Sequence, residues 1–133
     1  MTRAQRYTRY VLGGLFVAAG TLHFAAPEFY LAIMPPYLPW PRALIYASGV
    51  AEVVGGLGLL LPSPAKRRWV AFGLIALLLA VFPANVHMAR EAVAARGWAA
   101  PYTWATLARL PLQFVLIGIV GWATSLTGAG KEQ

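Results

Sequence analysis

Four apolar stretches divide this chain, at residues 10–26, 44–61, 69–88 and 110–126. None alternates polar and apolar residues as a barrel strand does, and each approaches the roughly 20 residues a helix needs to cross hydrocarbon. Lipid admits only helices or closed barrels. The pattern therefore predicts an all-α fold: a four-transmembrane-helix bundle in a single domain over residues 1–133.

The connections differ from one another. The first, residues 27–42, reads PEFYLAIMPPYLPWPR, and its prolines forbid one continuous helix. It is also rich in Phe, Tyr, Leu, Ile, Met and Trp, so it should fold back on the bundle mouth or lie at the membrane interface. The second is short and basic, around Lys66, Arg67 and Arg68. The third, residues 89–109, reads as partly helical: Met88 to Arg96 contains good helix formers, Gly97 is a stop and Pro101 a new start. Pro83 and Pro111 fall inside predicted helices and should kink them.

Small residues mark one face of the first two stretches. Phe16, Ala19, Gly20 and His23 share a face of the first, and Ser48, Glu52, Gly55, Gly56 and Leu59 one of the second. Small residues let helix backbones approach, so these faces are expected to meet.

Composition narrows the class. The chain is 59% hydrophobic and only 11% charged, and its mean hydropathy is +0.62. A soluble domain would carry roughly 25% charged residues. Cysteine is absent, which excludes disulfides, thiol catalysis, thiolate metal sites and iron–sulfur clusters. The net charge is +7, but the basic residues cluster beside apolar stretches (Arg3, Arg6 and Arg9; Lys66, Arg67 and Arg68). This is the pattern of anchoring beside anionic lipid headgroups, and no nucleic-acid partner is expected. With the N-terminus inside, Arg3, Arg6, Arg9, Lys66, Arg67, Arg68 and Lys131 lie inside and Arg42, Arg90, Arg96 and Arg109 outside. The bias predicts cytoplasmic termini. His23 within the first stretch, and Phe24 where a cleavage site wants a small residue, favour a retained helix over a signal peptide.

The candidate chemistry is polar and lies at one depth. Of the four acidic residues, only Glu52 sits within an apolar stretch. A carboxylate there usually faces a bundle interior and has a partner or a task. Glu52 lies about 12 Å in from Leu44. His23, Asn85, His87, Arg109 and Gln113 fall near the same outer ends of the other three stretches. Glu52 and His23 could handle a proton; Asn85 and Gln113 could orient a ligand's carbonyl, with His87 and Arg109 beside them. Each also has a structural alternative. Glu52 could be protonated or paired as glue, His23 could bond a helix carbonyl, and Asn85 could satisfy the Pro83 kink. His87 could pair with Glu91, and Arg109 could snorkel to phosphates. Asn85 and His87 lie about 200° apart around a helix, so they face different ways unless the kink reorients them. No HxxxH or ExxH spacing points to a metal.

Several stretches resemble the DoxX-like family of small four-helix membrane proteins: Gly20-Thr21-Leu22-His23-Phe24 with Pro27, Met34-Pro35-Pro36-Tyr37-Leu38-Pro39, Ser48 to Gly56, Phe82-Pro83-Ala84-Asn85, and Leu110-Pro111-Leu112-Gln113. The resemblance implies a four-helix membrane bundle and, from some relatives, a link to quinone-coupled or redox-stress systems. Two readings stay open. In one, an outward-facing polar pocket binds a lipophilic ligand, quinone or lipid-like, within a membrane redox system and beside a redox partner protein. In the other, the chain is a non-catalytic membrane subunit or assembly factor whose polar cluster is structural. Both have the bilayer as partner, and both admit a homo-oligomer.

Overall fold

A computed structural model describes residues 1–126; Lys131, counted above for orientation, lies outside the described residues. The described chain is all helical: α1 (Arg3–Ala25), α2 (Pro27–Ile33), α3 (Pro41–Gly58), α4 (Pro64–Arg96) and α5 (Pro101–Ala123). Local chemistry explains the ends. At the start of α1, the Gln5 N–H donates to the Thr2 hydroxyl and the Thr2 N–H to the Gln5 side chain, a reciprocal cap. Proline opens each of α2, α3, α4 and α5, where its missing N–H costs nothing. Gly97 ends α4 at φ 70°, a conformation glycine adopts freely. Both α4 and α5 continue through their internal prolines, Pro83 and Pro111.

Consecutive long helices run antiparallel. α1 packs chiefly on α3 and α4 chiefly on α5, while α3–α4 and α1–α5 contacts close the set. The α1–α3 seam is backbone on backbone. A Cβ added at Gly13 would lie 2.8 Å from the Gly56 carbonyl oxygen, and one at Gly20 would lie 2.6 Å from the Gly49 carbonyl oxygen. The two expected faces do meet, with Gly13 and Gly49 added to them. Gly55 is the exception: it turns to α4, where an added Cβ would come within 2.4 Å of Leu74.

Leu12, Phe16, Leu59, Leu74, Leu78 and Val120 form the apolar core. At one end of the molecule, Arg9 and Arg67 are buried (4% and 7% exposed). Arg9 donates to the Leu59 and Leu61 carbonyls, and Arg67 to those of Leu61 and Pro62. The expectation that these two arginines reach toward lipid headgroups is thereby corrected. They satisfy carbonyls left open where α3 ends and turns into α4, next to the negative end of the α3 dipole. At the same end the Gln5 amide donates to the Trp122 carbonyl at 2.8 Å, which joins the two outermost helix ends.

The opposite end carries α2. α1 and α2 meet at an 88° bend, and α2 itself buries no residue. The segment after it folds back as expected: Pro35 is almost wholly buried, and the Tyr37 ring stands edge-on to His87 at 6.0 Å. Trp40, between Pro39 and Pro41, takes φ 48°, an unusual conformation for a bulky residue. The prolines on either side restrict the alternatives.

α4 and α5 are each long and apolar enough to cross a membrane, and α1 taken with α2 makes a third candidate. α3, expected to span from residues 44–61, is not among these candidates; Arg42 and Glu52 fall within its 18 residues.

Candidate functional site

Among the described residues, the more desolvated of the acid–base pairs lies where α1 and α3 approach beneath α2. The glycine seam brings it together, because a Cβ at Gly49 would lie 2.8 Å from the His23 Cβ. His23 Nδ1 is 3.2 Å from Glu52 Oε2, with side-chain exposures of 11% and 18%. The same nitrogen is 2.9 Å from the Ala19 carbonyl one turn earlier in α1. A carbonyl only accepts, so Nδ1 carries a hydrogen and donates it there. Glu52 Oε2 is consequently buried with no hydrogen-bond partner. Buried polar oxygens are rarely left so, and one that is needs a reason.

Tyr30 covers this pair. Its ring stacks on the His23 imidazole with centroids 4.1 Å apart and planes 12° apart. Tyr30 is also within electrostatic reach of both Glu52 and Arg109. Arg42 of α3 reaches α2 by donating to Glu28 at 2.8 Å, an exposed contact, and also donates to the Tyr46 hydroxyl of its own helix at 3.3 Å. Phe24 and Tyr46 stack in parallel at 5.3 Å and tie α1 to α3 beside this point.

The remaining expected residues separate into three further places. Asn85 donates to the Gln113 side-chain oxygen at 2.8 Å, and the Gln113 amide donates to the Leu78 carbonyl. That carbonyl precedes Leu79, whose usual backbone donor Pro83 removes. Gln113 thus serves the loosened turn, the role expected of Asn85, while Asn85 holds Gln113. His87 faces the other way, toward Tyr37, and makes no ion pair with Glu91. Arg109 is exposed along much of its length, with its guanidinium 4.0 Å from the Met88 sulfur. Around α4, therefore, Asn85 serves α5 and His87 serves the α2–α3 connection, as their angular separation requires.

Sequence reading passed over Tyr30 as a partner of His23. It lies seven residues on, but the break at Ala26 and Pro27 removes helical periodicity as a guide. The buried arginines left a better signal. Arg9 is in register with Leu12, Gly13, Phe16, Gly20 and His23, the buried stripe of α1.

Among the described residues no group of His, Cys, Asp and Glu could hold a metal ion. What the pair offers is a protonatable oxygen in a desolvated setting, next to an imidazole and under a phenol. Fold and polar pair together define a small all-α protein with two to three helices able to cross a membrane. The chain belongs to the family described as a domain of unknown function, DUF8561, whose model matches residues 12–127. The match includes all six expected site residues, with Tyr30. No curated protein and no solved structure matches the chain.

Proposed function

We propose that the chain is a multi-pass protein of a bacterial-type inner (plasma) membrane. All four long helices would span, with both termini in the cytoplasm and α2 on the outer face. The resemblance to DoxX-like proteins and the distribution of Lys and Arg support this placement. At the outer end, the His23–Glu52 pair would bind a lipophilic ligand, quinone or lipid-like, as part of a membrane redox system.

One observation carries this reading: Glu52 Oε2 is buried, 3.2 Å from His23, and lacks a hydrogen-bond partner. A ligand hydroxyl could donate to it, or a protonated Glu52 could donate to a ligand carbonyl. Tyr30 would close over the ligand and Arg109 would add positive charge beside it. Asn85 and Gln113 would fix the register of α4 and α5 rather than touch the ligand first.

The test is purification of the full chain in mild detergent, with mass spectrometry of co-extracted small molecules. Wild type should carry a stoichiometric quinone or lipid-like compound. Glu52→Gln and His23→Ala should lose most of it while staying folded. A folded wild type with no bound compound would overturn the reading.

A second reading, a non-catalytic subunit or assembly factor, is favoured by the Asn85–Gln113–Leu78 chain, which is structural glue. The row of exposed apolar residues on α3, including Val50, Val54 and Leu57, could seat a partner helix. In that case Glu52→Gln and His23→Ala should lower stability in detergent and change nothing else.

A further inference from the structure

The α2 end holds a second polar feature. A cleft of about 470 Å³ lies between α2, with the turn that follows it, and the last third of α4 with the start of α5. Ile33, Met34, Met88 and Ala92 supply apolar wall, and two opposite charges of α4, Glu91 and Arg96, line the same space. The Arg96 guanidinium lies 4.3 Å from the centre of the Tyr102 ring, which holds it at the cleft. Glu91 forms no ion pair with any described residue. His87, one turn earlier, also lines the cleft, with its ring edge-on to Tyr37 and no ion pair to Glu91. The cleft therefore has a carboxylate and a guanidinium in its lining, carried by α4 positions about 7.5 Å apart along the helix axis and about 140° apart around it, beside an apolar wall.

We infer that this cleft binds the headgroup of a zwitterionic lipid. The ammonium would sit at Glu91 and the phosphate at Arg96, with the glycerol and first acyl carbons against Met88 and Ile33. Charge complementarity selects this occupant. A simple anion is repelled by Glu91 and a simple cation by Arg96, whereas a molecule bearing both charges is attracted twice. The cleft is open on one side and, at about 470 Å³, larger than one phosphate needs. Position agrees: the apolar stretch of α4 ends at Met88, so the cleft begins where hydrocarbon would give way to headgroups. Exposed Trp40 and Trp98 lie in the connections at this end and exposed Trp104 near the start of α5, as expected of side chains at a membrane interface. The inference rests on the membrane placement proposed above and not on the chemistry of the His23–Glu52 pair.

The experiment is native mass spectrometry of the full chain with added phosphatidylethanolamine or phosphatidylglycerol, and with soluble phosphoethanolamine as competitor. Wild type should retain one phosphatidylethanolamine with a preference of about tenfold over phosphatidylglycerol. Glu91→Gln should remove that preference by admitting phosphatidylglycerol, and Arg96→Gln should weaken both lipids. Ala95→Trp, at an exposed wall position, should block retention. All three positions are exposed, so thermal melts should match wild type. Equal retention of the two lipids by wild type, or a preference unchanged in Glu91→Gln, would overturn the inference. Equally tight binding of soluble phosphoethanolamine would overturn the lipid assignment. None of the variants touches His23 or Glu52, so failure here is separable from failure of the pair as a ligand site.

Discussion

At the scale of residues, burial separates roles that residue type alone could not. Glu52 and Glu28 are both glutamates with a cationic or ionisable neighbour. Glu28 is 77% exposed in its pair with Arg42, and such surface pairs contribute about 0–1 kcal/mol. Glu52 is desolvated and its Oε2 has no protein donor, so a proton, an ordered water or a bound molecule would stabilise it. Gln113 is a third case, fully engaged by Asn85 and the Leu78 carbonyl at 6% exposure. Replacing Gln113 with Leu should lower stability in detergent by about 1–2 kcal/mol, the range for interhelical polar contacts in membranes. If the amides act as one unit, Asn85→Ala combined with Gln113→Leu should cost little more than Gln113→Leu alone. Strictly additive losses in thermal melts would show that the two side chains act independently.

At the scale of elements, the α1–α3 seam organises the site. Gly13 meets Gly56 and Gly20 meets Gly49, a seven-residue spacing on each helix that keeps both glycines on one side of a closely packed antiparallel pair. The close approach is what sets His23 against Glu52. Gly20→Ala or Gly49→Ala would place a methyl within 2.6–2.9 Å of backbone oxygen. Each should destabilise by about 1–3 kcal/mol, as overpacking generally does. Gly14→Ala and Gly118→Ala meet open space and should be neutral or gain up to about 1 kcal/mol from helix propensity. Melting curves of the four variants in one detergent check this; a uniform response would mean that the seam is not tight. The glycine rows were visible in the sequence, and the meeting of the two faces was expected from them. Which glycines pair was not, because Gly55 and Gly56 are adjacent and only the rotation of α3 decides that one faces Leu74 of α4 and the other Gly13.

At the scale of the whole molecule, alternation of the long helices places both described ends of the chain with the α3–α4 turn, and places α2 with the α4–α5 turn. The chain has no cysteine, so single substitutions report topology cleanly. With the proposed orientation, Tyr37→Cys and Ala99→Cys in intact cells should react with a membrane-impermeant thiol reagent, and Lys66→Cys should react only after permeabilisation. The reverse pattern would invert the protein in the membrane and place the His23–Glu52 pair on the cytoplasmic side. Hydrophobic periodicity and proline and glycine punctuation determined, from the sequence alone, that the chain is helical, where the long helices lie and that polar residues gather toward one end, because these depend on local spacing and on the cost of exposing backbone to an apolar medium. Tertiary structure alone decided which polar residues meet. His23 joins Glu52 and Tyr30, Asn85 joins Gln113, His87 joins Tyr37, and Arg9 and Arg67 turn inward to α3–α4 carbonyls. Those choices depend on helix rotation and on the 88° bend before α2, set by packing between segments distant along the chain rather than by the spacing within any one of them.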